Sequence, residues 1–269
     1  MIIGSDLARR TVSALIMVPV VLGVTYLGGI AFVLLWMVAA AGVLHDWGHV
    51  ARLKPGIPFL IVGLCGVAVA AGGIYLSAEQ YALPAVLVAA LVCALLTRSG
   101  VSGGAGVLVA AIACLPMLVL RGEDRIGLSA VLFIYAIVWS TDIGAYFVGR
   151  IFGGPKLWPR LSPNKTWSGA IGGTLIGTAA GCALLLVTGL RFVPATVVLG
   201  LALSVAAQLG DLAESAFKRA YGVKDAGNFI PGHGGLLDRL DGFMAAALVA
   251  VLFGLARNFD APASGLLLW

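Results

Sequence analysis

The segment from Gly210 to Gly242, GDLAESAFKRAYGVKDAGNFIPGHGGLLDRLDG, gathers the residue types that phosphate and metal chemistry needs. Asp211, Glu214, Lys218, Arg219, Lys224, Asp225, Asp238, Arg239 and Asp241 all fall inside it. Read as a helix, Asp211, Glu214, Ser215 and Lys218 stand at i, i+3, i+4 and i+7 and form one polar stripe. Asp238 and Asp241 repeat the i, i+3 spacing. Between these two helix ends runs a connector with Gly222, Gly227, Gly232, Gly234 and Gly235, where backbone can approach a phosphate without an intervening Cβ. Lys224 and His233 ride on that connector. Carboxylates from two helix ends are hard oxygen ligands suited to Mg²⁺, which keeps several waters and is completed by substrate phosphates. The neighbouring lysines and arginines suit the phosphates themselves. A solvated charged loop explains charges at helical spacing in many proteins. These acids, however, abut apolar runs, where ionised groups are costly and line a polar site or pathway.

Two further stretches carry groups of the same kind. In Thr141-Asp142-Ile-Gly144-Ala-Tyr146-Phe-Val-Gly149-Arg150, Asp142 is expected about one turn inside the end of an apolar helix. It is either functional there or the partner of a cation such as Arg150 or Lys165. In Ser162-Pro-Asn164-Lys165-Thr166, followed by Trp167 and Ser168, hydroxyls, an amide and a cation lead into the next apolar run. A phosphate near that helix N-terminus would meet free backbone donors and the favourable end of the dipole. An ordinary turn with an N-terminal cap is the alternative. The spacing is not that of a P-loop. In the first half of the chain, His45 and His49 are an i, i+4 pair flanking Asp46, but no third metal ligand is evident, and the group reads as side chains capping a span at the interface.

The elements that must position these groups are membrane helices. The chain has 269 residues, 61% hydrophobic and only 11% charged, far below the charge that clothes a soluble surface. Apolar runs are expected as helices near 11–27, 29–44, 57–76, 82–96, 105–120, 128–147, 169–190, 194–209 and 242–256. The fold class is therefore all-α, a polytopic integral membrane protein with about nine transmembrane helices, read as one domain over 1–269. The site is expected mainly from 141–173 and 210–242. The first run is read as a retained span. Cys65, Cys93, Cys114 and Cys182 lie in apolar runs with no close pair and are read as small core residues. With the N-terminus inside, nine spans put thirteen of the 17 Lys and Arg in inner loops and only Arg121, Arg125, Arg191 and Arg257 outside. That asymmetry explains the formal charge of +5 without a nucleic-acid partner and puts the acidic and basic stretch on the cytoplasmic side.

The run Ser215-Ala-Phe-Lys218-Arg219, then Lys224-Asp225-Ala-Gly227, then Pro231-Gly-His233-Gly-Gly-Leu-Leu-Asp238-Arg239-Leu-Asp241 resembles the signature of the phosphatidate cytidylyltransferases, also called CDP-diacylglycerol synthases. The Ser162 to Thr166 block resembles a second family block, Ser-Pro-x-Lys-Thr followed by Trp-Glu-Gly, with Ser168 standing where relatives commonly have Glu. The resemblance covers roughly the last half of the chain.

It implies a multi-pass protein of the bacterial inner membrane, site and N-terminus cytoplasmic, which joins CTP and phosphatidate into CDP-diacylglycerol with release of pyrophosphate. It also implies Mg²⁺, with room for a second metal ion. On this reading Asp211, Asp238 and Asp241 hold metal, and Asp211, Asp238, Lys224 and Lys165 are catalytic. Ser162, Asn164, Lys165, Thr166, Lys218, Arg219, His233, Arg239 and Asp142 would bind substrate. His233 could equally brace the connector. Membrane lipids are partners, and a homodimer stays open. A CDP-alcohol phosphotransferase is disfavoured because its Asp-Gly-x-x-Ala-Arg motif is absent. A CTP-dependent lipid or polyprenol kinase is the enzymatic alternative, and a transporter, with its polar site at the bilayer midplane, is the non-enzymatic one.

Overall fold

The computed structural model describes residues 3–227 and 234–269, with side chains from residue 15 onward. The described chain runs α1 (Ile3–Leu27), α2 (Gly29–Val50), α3 (Gly56–Tyr75), a 3₁₀ turn (Glu79–Tyr81), α4 (Ala82–Leu96), α5 (Val101–Arg121) and α6 (Arg125–Phe152). After the strands β1 (Lys156–Trp158) and β2 (Ser162–Thr166) come α7 (Trp167–Val187), α8 (Pro194–Ala220), α9 (Leu237–Arg257) and α10 (Pro262–Leu267). Among the described residues eight helical segments are long and apolar enough to cross a membrane, and α1 contributes a shorter apolar stretch, Leu15–Leu27. The chain is thus an all-α membrane protein, as its composition requires. Among the described residues a hairpin is the one departure: the Ser-Pro-Asn-Lys-Thr block is a strand, paired antiparallel with Lys156 opposite Thr166 and Trp158 opposite Ser162.

Two compact units emerge, Met1–Leu118 with Val223–Arg239, and Val119–Gly222 with Leu240–Trp269. In the first, Leu44, Phe59, Val67, Cys93 and Val107 form a dry core. The indole N–H of Trp47 donates to the Ser102 carbonyl at 2.8 Å and ties α2 to the start of α5.

The second unit is built on close helix approach. Gly169, Gly173, Gly177 and Gly181 recur every fourth residue on α7 and face α6. A Cβ at Gly169 would lie 2.7 Å from the Ala145 carbonyl oxygen, and one at Gly173 would lie 2.6 Å from that of Thr141. Small residues at this period let two backbones meet where lipid supplies no hydrophobic drive to bring them together. Polar groups reinforce the contact. Thr141 Oγ1 and Ser204 Oγ share a 2.7 Å hydrogen bond between α6 and α8, and Gln208 Nε2 donates to Thr174 Oγ1 at 2.8 Å across α8 and α7. At the start of α6 the Asp124 carboxylate caps the Gly127 N–H at 2.6 Å, and at its end Gly153, with φ of 59°, lets the chain turn into the hairpin.

Candidate active site

Helix α8 does not stop at Leu209, where its apolar run ends, but continues to Ala220, so Asp211, Glu214 and Lys218 lie on one continuous helix. Asp211 sits one residue beyond Gly210, and Asp241 one residue before Gly242. Those two glycines are where α8 and α9 touch: a Cβ on Gly210 would lie 2.6 Å from the Asp241 carbonyl oxygen, and one on Gly242 would lie 2.7 Å from that of Ala207. The crossing therefore brings the two acids close together. Asp142, on α6, lines the same cavity as Asp211 and Lys165. Lys165 Nζ pairs directly with Asp211 Oδ2.

A cavity of about 680 Å³ opens beside Asp142, Lys165 and Asp211, and Asp241 is not among its lining residues. It is lined by Asp142, Tyr146, Gly149, Arg150 and Gly153 of α6 and its end, and by Lys156, Asn164, Lys165 and Thr166 of the hairpin. Gly169 and Ala170 of α7 and Gln208 and Asp211 of α8 close it. The hairpin is what carries Lys165 there. Thr166, buried at its end, caps α7 by accepting the Gly169 N–H at 3.1 Å, and the Ser168 hydroxyl donates to the Gly153 carbonyl. The first turn of α7 thus faces the cavity with its partial positive charge. Lys156, Gln208 and Arg150 were not singled out by sequence as site residues, and only the fold shows that they line the same space.

The remaining expected residues are distributed as follows. Ser162 is half-buried in β2 opposite Trp158. Lys218 Nζ bonds Glu214 Oε2 at 2.8 Å, with side chains only 12% and 5% exposed, so its ammonium is committed to an inward ion pair. Arg219 is exposed at the end of α8. Lys224, Asp238 and Arg239 belong to the first unit. There Lys224 and Arg239 are exposed, while Asp238 Oδ2 accepts the N–H groups of Ala226 at 3.0 Å and Gly235 at 2.9 Å. His233 lies outside the described residues.

Asp46 was read from sequence as an interfacial cap of its own span, and the structure gives it a different task. It is wholly buried, and its Oδ2 accepts the N–H groups of Leu236 at 2.5 Å and Leu237 at 3.0 Å, holding the start of α9 from 190 residues away. Gly227 and Gly235 must be glycines beside it, since a Cβ on either would come within 2.5 Å of an Asp46 carboxylate oxygen. His45 and His49 stay exposed, and among the described residues no group of three or more His, Cys, Asp or Glu is set to hold a metal by itself.

Comparison with known proteins shows the family. The sequence model of the cytidylyltransferase family matches residues 8–256. A phosphatidate cytidylyltransferase of Brucella suis biovar 1 (strain 1330) is 40% identical over 258 residues, covering 93% of this chain and 94% of the relative. Its counterpart in Brucella abortus (strain 2308) matches to the same extent. The phosphatidate cytidylyltransferase of Bacillus subtilis (strain 168) is 49% identical over 126 residues, 46% of this chain and 47% of the relative. A match that spans nearly every apolar helix as well as the charged segments is one of whole architecture, and the chain belongs to the cytidylyltransferase family.

Proposed function

We propose that this chain transfers the cytidylyl group of CTP to phosphatidate, forming CDP-diacylglycerol and pyrophosphate. The observation that carries this reading is the cavity in which Asp142, Lys165 and Asp211 meet beside Arg150 and Lys156 at the ends of membrane helices. An oxygen of the phosphatidate phosphate attacks the α-phosphorus of CTP, and the bond from that phosphorus to the bridging oxygen of the β-phosphate breaks. The attacking oxygen is already ionised, so the reaction needs no general base. It needs neutralisation of the accumulating negative charge and an in-line arrangement of two anionic groups. Lys165 supplies one positive charge from a strand held in place by the cap on α7, and the first turn of α7 adds backbone donors. The α6 and α7 glycine contact fixes the walls between which the two phosphates must align.

Asp142 and Asp211 stand at the cavity with Lys165, and the α8 and α9 crossing brings Asp241 close to Asp211, a set of oxygen donors that suits a divalent cation. Mg²⁺ fits the donor set, because it takes one or two carboxylates and completes its octahedron with waters and substrate phosphate rather than a full protein cage. Asp211 and Asp241 would hold it. When bound, it would neutralise and orient phosphate oxygens of the nucleotide. Asp238 and Asp46 then act as positioning residues for the connector and the start of α9. The bacterial relatives and the excess of Lys and Arg in one set of loops support an inner-membrane protein with this site on the cytoplasmic side, where CTP is made available.

The reading is tested by product analysis with purified protein. Pyrophosphate release from CTP should depend on both phosphatidate and Mg²⁺. Formation of CDP in place of pyrophosphate would identify a CTP-dependent kinase.

A further inference from the structure

The basic groups lining the cavity differ in their commitments. Lys165 is paired with Asp211. Arg150 and Lys156 also line the wall, and among the described residues neither makes an ion pair. Arg150 is folded back along α6, its Nη1 donating to Tyr146 Oη at 3.0 Å. Tyr146 is one helical turn from Asp142, about 6 Å along the axis, and all three residues line the one cavity, so a phosphate on Arg150 can share it with a phosphate held by Lys165.

The row of α6 next to this wall has the opposite character. Ile143, Phe147 and Ile151 follow one another at four-residue intervals and are 58%, 56% and 72% exposed. They adjoin Asp142, Tyr146 and Arg150, the polar row, by one residue each. One helix thus presents an anion-binding wall and, beside it, an apolar ridge on a segment long enough to span the bilayer. A soluble triphosphate has no use for the ridge. A phosphate carrying two acyl chains matches both rows at once.

We infer that Arg150 and Lys156 form the phosphate subsite for the lipid substrate, with its acyl chains along Ile143, Phe147 and Ile151. The nucleotide is thereby left to Lys165 and Asp211. This assignment rests on the proposed reaction and divides the cations that line the cavity between the two substrates. Arg150 uses its planar fork against phosphate oxygens, and Lys156 adds a point charge from the exposed hairpin.

The test uses the full chain in mixed micelles, with the surface fraction of phosphatidate and the concentration of CTP varied independently. Arg150→Gln and Lys156→Gln should each raise the KM for phosphatidate about tenfold while the KM for CTP stays within twofold of wild type. A rise confined to the KM for CTP, or no change in either, would overturn the assignment. Thermal stabilisation by dioleoyl phosphatidate without CTP is the second measurement and does not depend on turnover. The shift should persist in Lys165→Ala and be lost in Lys156→Gln, a substitution on an exposed hairpin that the fold tolerates. Loss of the shift in Lys165→Ala with retention in Lys156→Gln contradicts the subsite. A wild-type protein that binds phosphatidate yet leaves CTP intact would refute the reaction and leave the lipid subsite standing.

Discussion

Lys165 stands in a five-residue strand and pairs with Asp211, 46 residues further on, so each side chain restrains the other before any substrate arrives. Their roles differ. Lys165→Ala removes a positive charge from the cavity and should lower kcat/KM for CTP at least tenfold, about 1.4 kcal/mol of transition-state stabilisation. Unchanged efficiency would leave Lys165 as a partner of Asp211 only. Asp211→Asn and Asp241→Asn each remove one carboxylate from the pair assigned to Mg²⁺, and should each cost on the order of 100-fold in turnover, about 2.7 kcal/mol. Titration with Mg²⁺ provides the check: saturation of either variant at the wild-type concentration, with wild-type turnover, would take that residue out of the metal site. Lys218 is a different case. Its inward pair with Glu214 makes it part of the fold of α8, although its position in the sequence stripe is the same as that of a surface cation.

The helices show which local signals survive folding. The segment from Gly210 to Gly242 was legible because rare residue types stand there at fixed spacing, and because an acid next to an apolar run has few inexpensive settings. The sequence reading ended this helix at 209 and drew the i, i+3, i+4, i+7 stripe only on the condition of a helix, and the continuation of α8 to Ala220 meets that condition. The hairpin was not legible, since strands of three and five residues show too little alternation to be told from a turn. The four-residue period of the α7 glycines, which marks a close helix contact, was not read from the sequence and is seen once α6 and α7 are in place. The task of Asp46 had no such signal, because its hydrogen-bond partners lie 190 residues away and are backbone groups that any sequence could supply. Replacing it tests whether the start of α9 depends on it. Asp46→Ala leaves the Leu236 N–H and the buried Leu237 N–H without their acceptor, at about 1–3 kcal/mol for the buried one, and should lower the melting temperature. Asp46→Asn keeps one acceptor oxygen and should fall between the two. Wild-type melting in Asp46→Ala would show that α9 is held by its apolar contacts alone.

At the scale of the whole molecule, sidedness and reaction are linked, because the cavity must face the compartment that holds CTP. Arg160, exposed in the hairpin, and Asp260, exposed after α9, are separated by three helices long enough to cross the membrane, α7, α8 and α9. In a background lacking the four native cysteines, cysteine at 160 should resist a membrane-impermeant thiol reagent in intact cells, and cysteine at 260 should react. Inside-out vesicles should reverse both. Labelling of 160 from outside would part the cavity from its nucleotide. The most direct test of the central claim follows the atoms of CTP itself. Purified protein is given phosphatidate, Mg²⁺ and CTP labelled in separate reactions at the α-phosphate, the γ-phosphate and the cytosine ring. The account predicts that α-phosphate and ring label enter the lipid together in equal amounts while γ label leaves in pyrophosphate. Entry of γ label into the lipid without the ring, or lipid left unlabelled in all three reactions, would contradict it.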